Sequence, residues 1–227
     1  MLGINRLSCQ IFRHSLAATK DQLAMQLLRP LYDTYVPWSE SAIRPSGIVK
    51  ILNEILIYKR HCVVECGGGI STLFIAKILK MKGGHLYTIE HDEEWSIILK
   101  EQIDQLGLNE YISLITAPLI NSKLSIGDLL WYDQDIISSK IGNISIDLLL
   151  IDGPLAYLKE NQYSRYPAVP FFQSYFAKDY SVILDDINRL GEREIVKMWE
   201  NLTGIHFDKF LIDGGLAIGR TKNSFTV

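Results

Sequence analysis

Cysteine is scarce in this sequence: Cys9, Cys62 and Cys66 are the only three in 227 residues. Three unevenly spaced thiols cannot form a disulfide framework, and they fit a reducing compartment. A basic excess is also lacking. Lysine and arginine number 23 against 26 acidic residues, a formal net charge of −3. Proteins that hold a nucleic-acid duplex gather positive charge on one face, so no nucleic-acid partner is expected. Long apolar runs are missing as well. Leu148–Ile151 is short and flanked by Asp147 and Asp152, whereas a spanning helix needs roughly 20 apolar residues. Arg6, Arg13, Lys20 and Asp21 interrupt the apolar stretches near the start, which therefore carry no signal-peptide pattern. Internal repeats, low-complexity segments, a G-x-S-x-G elbow and a P-loop lysine are all absent. These absences lead to the expectation of a soluble, cytoplasmic protein with no membrane partner.

What is present is the ordinary globular balance, 48% hydrophobic and 22% charged. A chain this long buries about 70% of its unfolded surface and needs no metal staple. From His61 onward, short β-rich runs alternate with helical patterns, the signature of a parallel sheet with crossover helices. The strand candidates are His61–Cys66, His85–His91, Ile112–Ala117, Ile146–Gly153 and Tyr180–Asp186. Helix candidates are Ser71–Met81, Glu93–Gln105, Pro167–Ala177 and Glu192–Leu202. Several strands are apolar almost throughout, as expected where helices cover both sheet faces. Phe207–Ile212 and Leu216–Arg220, joined by Asp213-Gly214-Gly215, form a hairpin, so one late strand must run antiparallel to its neighbours. Before the core, Leu16–Leu31 has apolar positions at helical spacing, including Leu23, Leu27 and Leu28. Trp38 either folds over a ligand or packs on that N-terminal helix.

The run Glu65-Cys66-Gly67-Gly68-Gly69-Ile70-Ser71-Thr72 is a strand end, a three-glycine turn and a helix start. Glycine lets a backbone adopt positive φ and lets a ligand approach without a Cβ in the way. Ser71 or Thr72 can cap the new helix, whose N–H groups face the ligand. The next strand ends in Glu90 and His91, and an acid at that distance can hold ribose hydroxyls. The pair points to an adenosine-containing cofactor. A dinucleotide pattern G-x-G-x-x-G is not completed, because Thr72 stands at its last place. Glu65 would repel a pyrophosphate and suits a cationic or amino-acid group, so the acid and the hairpin both favour S-adenosylmethionine.

These residues resemble class I S-adenosylmethionine-dependent methyltransferases, in a bacterial-type branch with distant similarity to catechol-type O-methyltransferases. The resemblance rests on Glu65–Leu73, Thr88–Trp95, Thr116–Leu119, Asp147–Pro154, Arg165–Ala168 and Ile183–Arg189, and covers Pro37 to Arg220. It implies a Rossmann-like three-layer α/β sandwich with a seven-stranded, mostly parallel sheet. A helical extension or lid, residues 1–60, would precede a methyltransferase core at 61–227. By the resemblance, Gly67 and Gly69 pass under the methionine part of the cofactor, with Glu65 near its amino group. Glu90 holds the ribose, His91 lies alongside the adenine, and the Ala117 backbone meets the adenine edge. Gly68 replaces a more usual serine and loosens the loop. Asp152 stands where substrate and methyl group meet.

Asp152 and the pair Asp185-Asp186 end adjacent predicted strands, the edge where open α/β sheets bind ligands. Their chemistry has three readings. Together they hold a divalent cation such as Mg²⁺, as the catechol-type resemblance implies, with Asp186 in place of an asparagine. Alternatively Asp152 alone is a general base, or the acids cap helices and pair with Arg189 and Arg193. The loop Pro154–Pro170, with Tyr157, Lys159, Tyr163, Arg165 and Tyr166, can receive an aromatic or anionic acceptor. The expected activity is methylation of a small-molecule acceptor, at oxygen, by a chain with a surface available for a homodimer. An NAD-dependent oxidoreductase and a non-catalytic cofactor-binding or scaffold protein remain the other readings.

Overall fold

Residues 2–32 and 34–222 are described in a computed structural model. In chain order the elements are α1 (Leu2–Leu28), α2 (Pro45–Tyr58), β1 (Cys62–Cys66), α3 (Ile70–Lys82), β2 (His85–Glu90), α4 (Glu93–Gln105), β3 (Ile112–Thr116), β4 (Leu119–Asn121) and β5 (Leu130–Tyr132). They continue with α5 (Gln134–Ile141), β6 (Ile146–Ile151), α6 (Ala168–Phe172), β7 (Phe176–Leu184), α7 (Leu190–Thr203), β8 (Phe207–Phe210) and β9 (Leu216–Arg220). The helix ends follow local chemistry. Pro45 opens α2 at a place where no N–H is needed. Asp92 caps α4 by accepting from the Trp95 N–H, and Gly204 closes α7 in the left-handed region.

Seven strands form one sheet in the order β3-β2-β1-β6-β7-β9-β8. β1, β2, β3, β6 and β7 pair in parallel, whereas β9 runs antiparallel to both β7 and β8. This is the Rossmann-like three-layer sandwich with the late antiparallel strand that the hairpin signal required. Alternate strand residues feed two cores. Val63, Leu148, Leu150, Ile183 and Ile218 pack with α2, α3 and α4, while Val64, Leu149, Ile151, Val182 and Leu184 pack with α5, α6 and α7. Period-2 alternation explains why every one of these strands is apolar on both sides.

Three local expectations need correction. Pro167–Ala177 is not one helix: α6 stops at Phe172, a 3₁₀ turn follows, and β7 begins at Phe176. Phe176 and Tyr180 stack with centroids 4.0 Å apart across the irregular start of β7, where the pairing with β6 shifts register between Phe176 and Ser181. The β4–β5 hairpin and α5, between β3 and β6, had no counterpart among the expected elements. On α1, Ala24 and Leu28 are buried, but Leu23 and Leu27 are exposed.

α2 joins the sheet through a buried ionic node. Glu54, 1% exposed, accepts from Arg220 Nη2 at 2.7 Å and from the Ser181 hydroxyl, and Arg60 Nη2 donates to Ser181 Oγ at 2.8 Å. The node links α2 to β7 and β9. Trp38 packs on Phe74 of α3 at 6.0 Å between ring centroids. Among the described residues, no helix is long and apolar enough to cross a membrane.

Candidate active site

The site begins where β1 and β6 end side by side. The Cys66 carbonyl accepts from the Asp152 N–H at 2.9 Å and from the Gly153 N–H at 2.7 Å. Gly67 has φ +90, and a methyl group there would lie 2.8 Å from Gly153 N. A methyl on Gly153 would overlap the Tyr132 hydroxyl and lie 2.9 Å from Gly67 Cα. The two turns are thus packed backbone to backbone, which only glycine permits. Gly69 is different: nothing lies within 4 Å of the place a Cβ would take. That open space beside the turn is where a ligand can lie. Gly68 does not loosen the loop as expected, since a side chain there would meet Leu99 Cδ2 at 2.7 Å and Thr88 Cγ2 at 3.0 Å.

Glu65 lies beneath the turn. It is fully buried and accepts from Ser71 Oγ at 2.6 Å, from Thr88 Oγ1 at 2.9 Å and from Thr72 Oγ1. Burial, opposed by these three hydroxyls, pushes its pKa up to about 7. The carboxyl faces inward and braces the turn through these three hydroxyls. Ser71 and Thr72 are spoken for in the same way. The N-cap is Gly69, and Thr72 Oγ1 accepts its N–H at 3.0 Å.

Glu90 does face the turn. Its Oε2 accepts from the Gly68 N–H at 3.0 Å, and Oε1 accepts from the N–H groups of His91 and Asp92 at 2.7 and 2.9 Å. Burial raises its pKa, but hydrogen bonds from His91, Asp92 and Gly68 outweigh burial and hold it below the usual range. His91 Nδ1 lies 2.8 Å from Glu90 Oε1, which raises the imidazole pKa. The Ala117 N–H is not free for an adenine edge, because it donates to the Glu90 carbonyl at 2.7 Å in the sheet ladder. Tyr132, unforeseen from the sequence, buries a hydroxyl with no hydrogen-bond partner next to Gly153. The open face at Gly69 and the ionised Glu90 at the end of β2 fit an adenosine-bearing cofactor.

The expected aspartate trio is assembled: ligand-capable oxygens of Asp152, Asp185 and Asp186 lie within 4.8 Å of one another. Asp186 sits at φ +61, a conformation that aspartate and asparagine tolerate better than other side chains. Between the carboxylates lies Arg165, 2% exposed. Its Nε donates to the Pro154 carbonyl at 3.1 Å, and Nη1 donates to the Asp185 carbonyl at 3.4 Å and Asp186 Oδ2 at 3.0 Å. Nη2 donates to the Asp152 carbonyl and, at 3.3 Å, to Asp152 Oδ1. Arg189 adds a second contact on Asp186 Oδ2 at 2.8 Å, whereas Arg193 turns away to the Ile187 and Asn188 carbonyls. Burial and the charge of Asp185 raise the Asp152 pKa well above the carboxylate range, and burial with the charge of Asp186 brings Asp185 to about 7.

This donor set does not fit a divalent cation. One carboxylate oxygen of Asp152 and one of Asp186 already accept from a guanidinium, standing between them, whose five N–H groups are all engaged. Arg165 also leaves the role assigned to it at the surface, since a buried, saturated side chain cannot receive an anionic acceptor. Tyr157 and Lys159 are exposed on the same loop. The signal for Arg165 was its placement two residues before Pro167 in the loop after β6. Nothing in one sequence showed that it turns inward. Glu192 also went unseen. It is fully buried, with Oε1 3.8 Å from Arg165 Nη1 and 3.6 Å from Arg189 Nη1.

A glycine turn after β1, an acid ending β2, an acid ending β6 and an antiparallel strand beside β7 together define a class I methyltransferase. The chain belongs to the methyltransferase-domain family, whose model matches residues 64–187. Solved structures share the fold. The SAH-bound methyltransferase PaMTH1 of Podospora anserina aligns with TM-score 0.60 and 11% identity over 98% of this chain and 97% of that one. An O-methyltransferase from Bacillus cereus in complex with SAH gives 0.53 and 17% over 89% and 90%. The O-methyltransferase TomG of Streptomyces achromogenes, in complex with SAM and involved in tomaymycin synthesis, gives 0.52 and 15% over 88% and 88%. No curated protein matches the sequence.

Proposed function

We propose that this methyltransferase uses S-adenosylmethionine to methylate a small-molecule acceptor at oxygen. The observation that carries the reading is the position of Asp152: it ends β6 against Gly67 of the glycine turn and holds a carboxyl group whose pKa is raised. S-adenosylmethionine supplies a methyl group already activated by its sulfonium. The protein has then only to align the acceptor and take its proton. Asp152 in its ionised form accepts the hydroxyl proton as the acceptor oxygen approaches the methyl carbon. Burial and the neighbouring charge of Asp185 make it a stronger base than an ordinary carboxylate, which favours taking the hydroxyl proton. Glu90 accepts hydrogen bonds from the ribose hydroxyls, sharing the oxygen that the Gly68 N–H now holds, and His91 flanks the adenine. The open space at Gly69 leaves room for the methionine part, and Gly67 lets the turn pack on Gly153 beneath it. The acceptor enters over Pro154–Pro170, where Tyr157 and Lys159 are exposed.

Cys66 is buried and Cys62 half-buried, both free, which accords with a cytoplasmic location. Residues 1–60 form a helical extension on the core at 61–227, and exposed Phe12, Leu23 and Leu27 leave it available for a dimer contact. Calorimetry with S-adenosylhomocysteine tests the cofactor, and a labelled methyl donor with a metabolite extract tests transfer. Binding of NAD(H) without S-adenosylhomocysteine would overturn the reading. Asp152→Asn should keep S-adenosylhomocysteine binding and lower kcat by about 10²–10⁴. Equal loss of both would remove Asp152 from proton transfer.

A further inference from the structure

We propose that Arg165 is the permanent cation of this active site, occupying the place a divalent metal would take between the β6 and β7 carboxylates. Four acidic groups surround that place: Asp152, Asp185, Asp186 and the fully buried Glu192. A cluster of that kind is stable only with positive charge inside it. Arg165 provides it from the interior. Its Nη2 reaches Asp152 Oδ1 at 3.3 Å, and its Nη1 reaches Asp186 Oδ2 at 3.0 Å and Glu192 Oε1 at 3.8 Å. Arg189, more than a third exposed, adds positive charge from the rim at Asp186 and Glu192.

Three features distinguish this guanidinium from a side chain that swings aside for a metal. All five N–H donors have acceptors, three of them the backbone carbonyls of Pro154, Asp152 and Asp185. Those carbonyls come from both strand ends and the loop between them, so the planar fork fixes the spacing of Asp152 and Asp186 as a metal would. Withdrawal would orphan a buried charge and leave four acids facing one another. A hard dication placed beside the guanidinium would meet like charge at contact distance. Arg165 therefore acts as a positioning residue, and methyl transfer proceeds without added metal.

The inference concerns the site used by the proposed function, but its test needs no methyl transfer, so each can fail separately. Mn²⁺ serves as the probe, because it takes oxygen ligands and is visible by electron paramagnetic resonance. The intact protein is titrated with Mn²⁺ as wild type, as Arg165→Met, as Arg165→Lys and as Arg165→Met/Asp185→Asn. The wild type is expected to show no stoichiometric site. Arg165→Met should bind one Mn²⁺ at least about tenfold more tightly, because one positive charge has left the cluster. The double variant should lose that gain, and Arg165→Lys should stay wild-type-like. Thermal denaturation establishes that each variant is folded. A stoichiometric Mn²⁺ site in the wild type that Asp185→Asn removes would overturn the proposal, as would a folded Arg165→Met protein with no gain. If Arg165→Met does not fold, the wild-type and Arg165→Lys titrations decide.

Discussion

The inward-facing Glu65 yields a prediction that can be worked through. Its carboxyl is fully buried, with a pKa of about 7 against an ordinary 4.5. A group whose pKa is higher in the folded state holds its proton there after the unfolded chain has lost it. Folding stability therefore falls as pH rises from 4.5 to about 7, then levels off once both states are ionised. Integrating that linkage from pH 5 to pH 8 gives a loss of about 2–3 kcal/mol from this one residue. Glu65→Gln cannot ionise. Whatever fixed cost the amide carries against Ser71, Thr72 and Thr88, its stability relative to wild type should improve by about 2–3 kcal/mol between those two pH values. The assay is urea denaturation of both proteins at four pH values across that range, followed by far-ultraviolet circular dichroism. A difference between the two proteins that stays flat with pH would refute the reasoning. So would one growing in the opposite direction, which would mean that the three hydroxyls stabilise the ionised form more than burial penalises it.

Other outcomes follow from the same geometry. Gly153→Ala should destabilise by about 1–3 kcal/mol, because its methyl meets Tyr132 and the Gly67 backbone, and Tyr132→Phe should recover part of the loss in thermal unfolding. Glu54→Ala should cost about 3–5 kcal/mol in chemical denaturation, since it leaves Arg220 of the buried node with only the half-exposed Asp208 at 3.3 Å and takes the acceptor of the Ser181 hydroxyl. The pH profile of kcat/KM should rise through a midpoint set jointly by Asp152 and Asp185. Asp185→Asn removes a like charge beside Asp152 and should move that midpoint to lower pH; an unmoved midpoint would place the titration elsewhere.

The parallel sheet was legible because its strands are buried on both faces: Val63, Val64 and Leu148–Ile151 read as apolar whichever way they point. Glycines at 67 and 69, an acid at 90 and acids at 152, 185 and 186 were legible because strand ends in this fold are functional edges. Orientation was not. Glu65 and Glu90 look alike in sequence, yet one turns under the glycine turn among hydroxyls and the other turns over it. A residue at a strand's last buried position follows the pleat, whose phase is fixed by pairing with β2 and β6 and not by neighbours in sequence. Arg165 was read as a basic group for an anionic acceptor because it lies in a loop beside the methyl donor. Only the packing of α6 and the carbonyls at 152, 154 and 185 turn it inward. The short β4–β5 hairpin escaped notice because three-residue strands carry too little periodicity to stand out.

The insertion of β9 between β7 and β8 also has a consequence in time. β9 is the last strand of the sheet to be translated, and Arg220 lies 36 residues after Leu184. At about 5–20 residues per second, a nascent chain carries β7 with one unpaired side for roughly two to seven seconds. Such a side invites pairing with other chains until Ser181–Leu184 meet their partners Arg220–Ala217. Gly215, at the start of β9, also supplies the carbonyl that accepts the Ile187 N–H at 2.8 Å, immediately after the Asp185-Asp186 pair. The carboxylate edge is therefore completed only when that strand arrives. A released chain ending at Gly215 should be cut by protease within β7, whereas the full chain should resist.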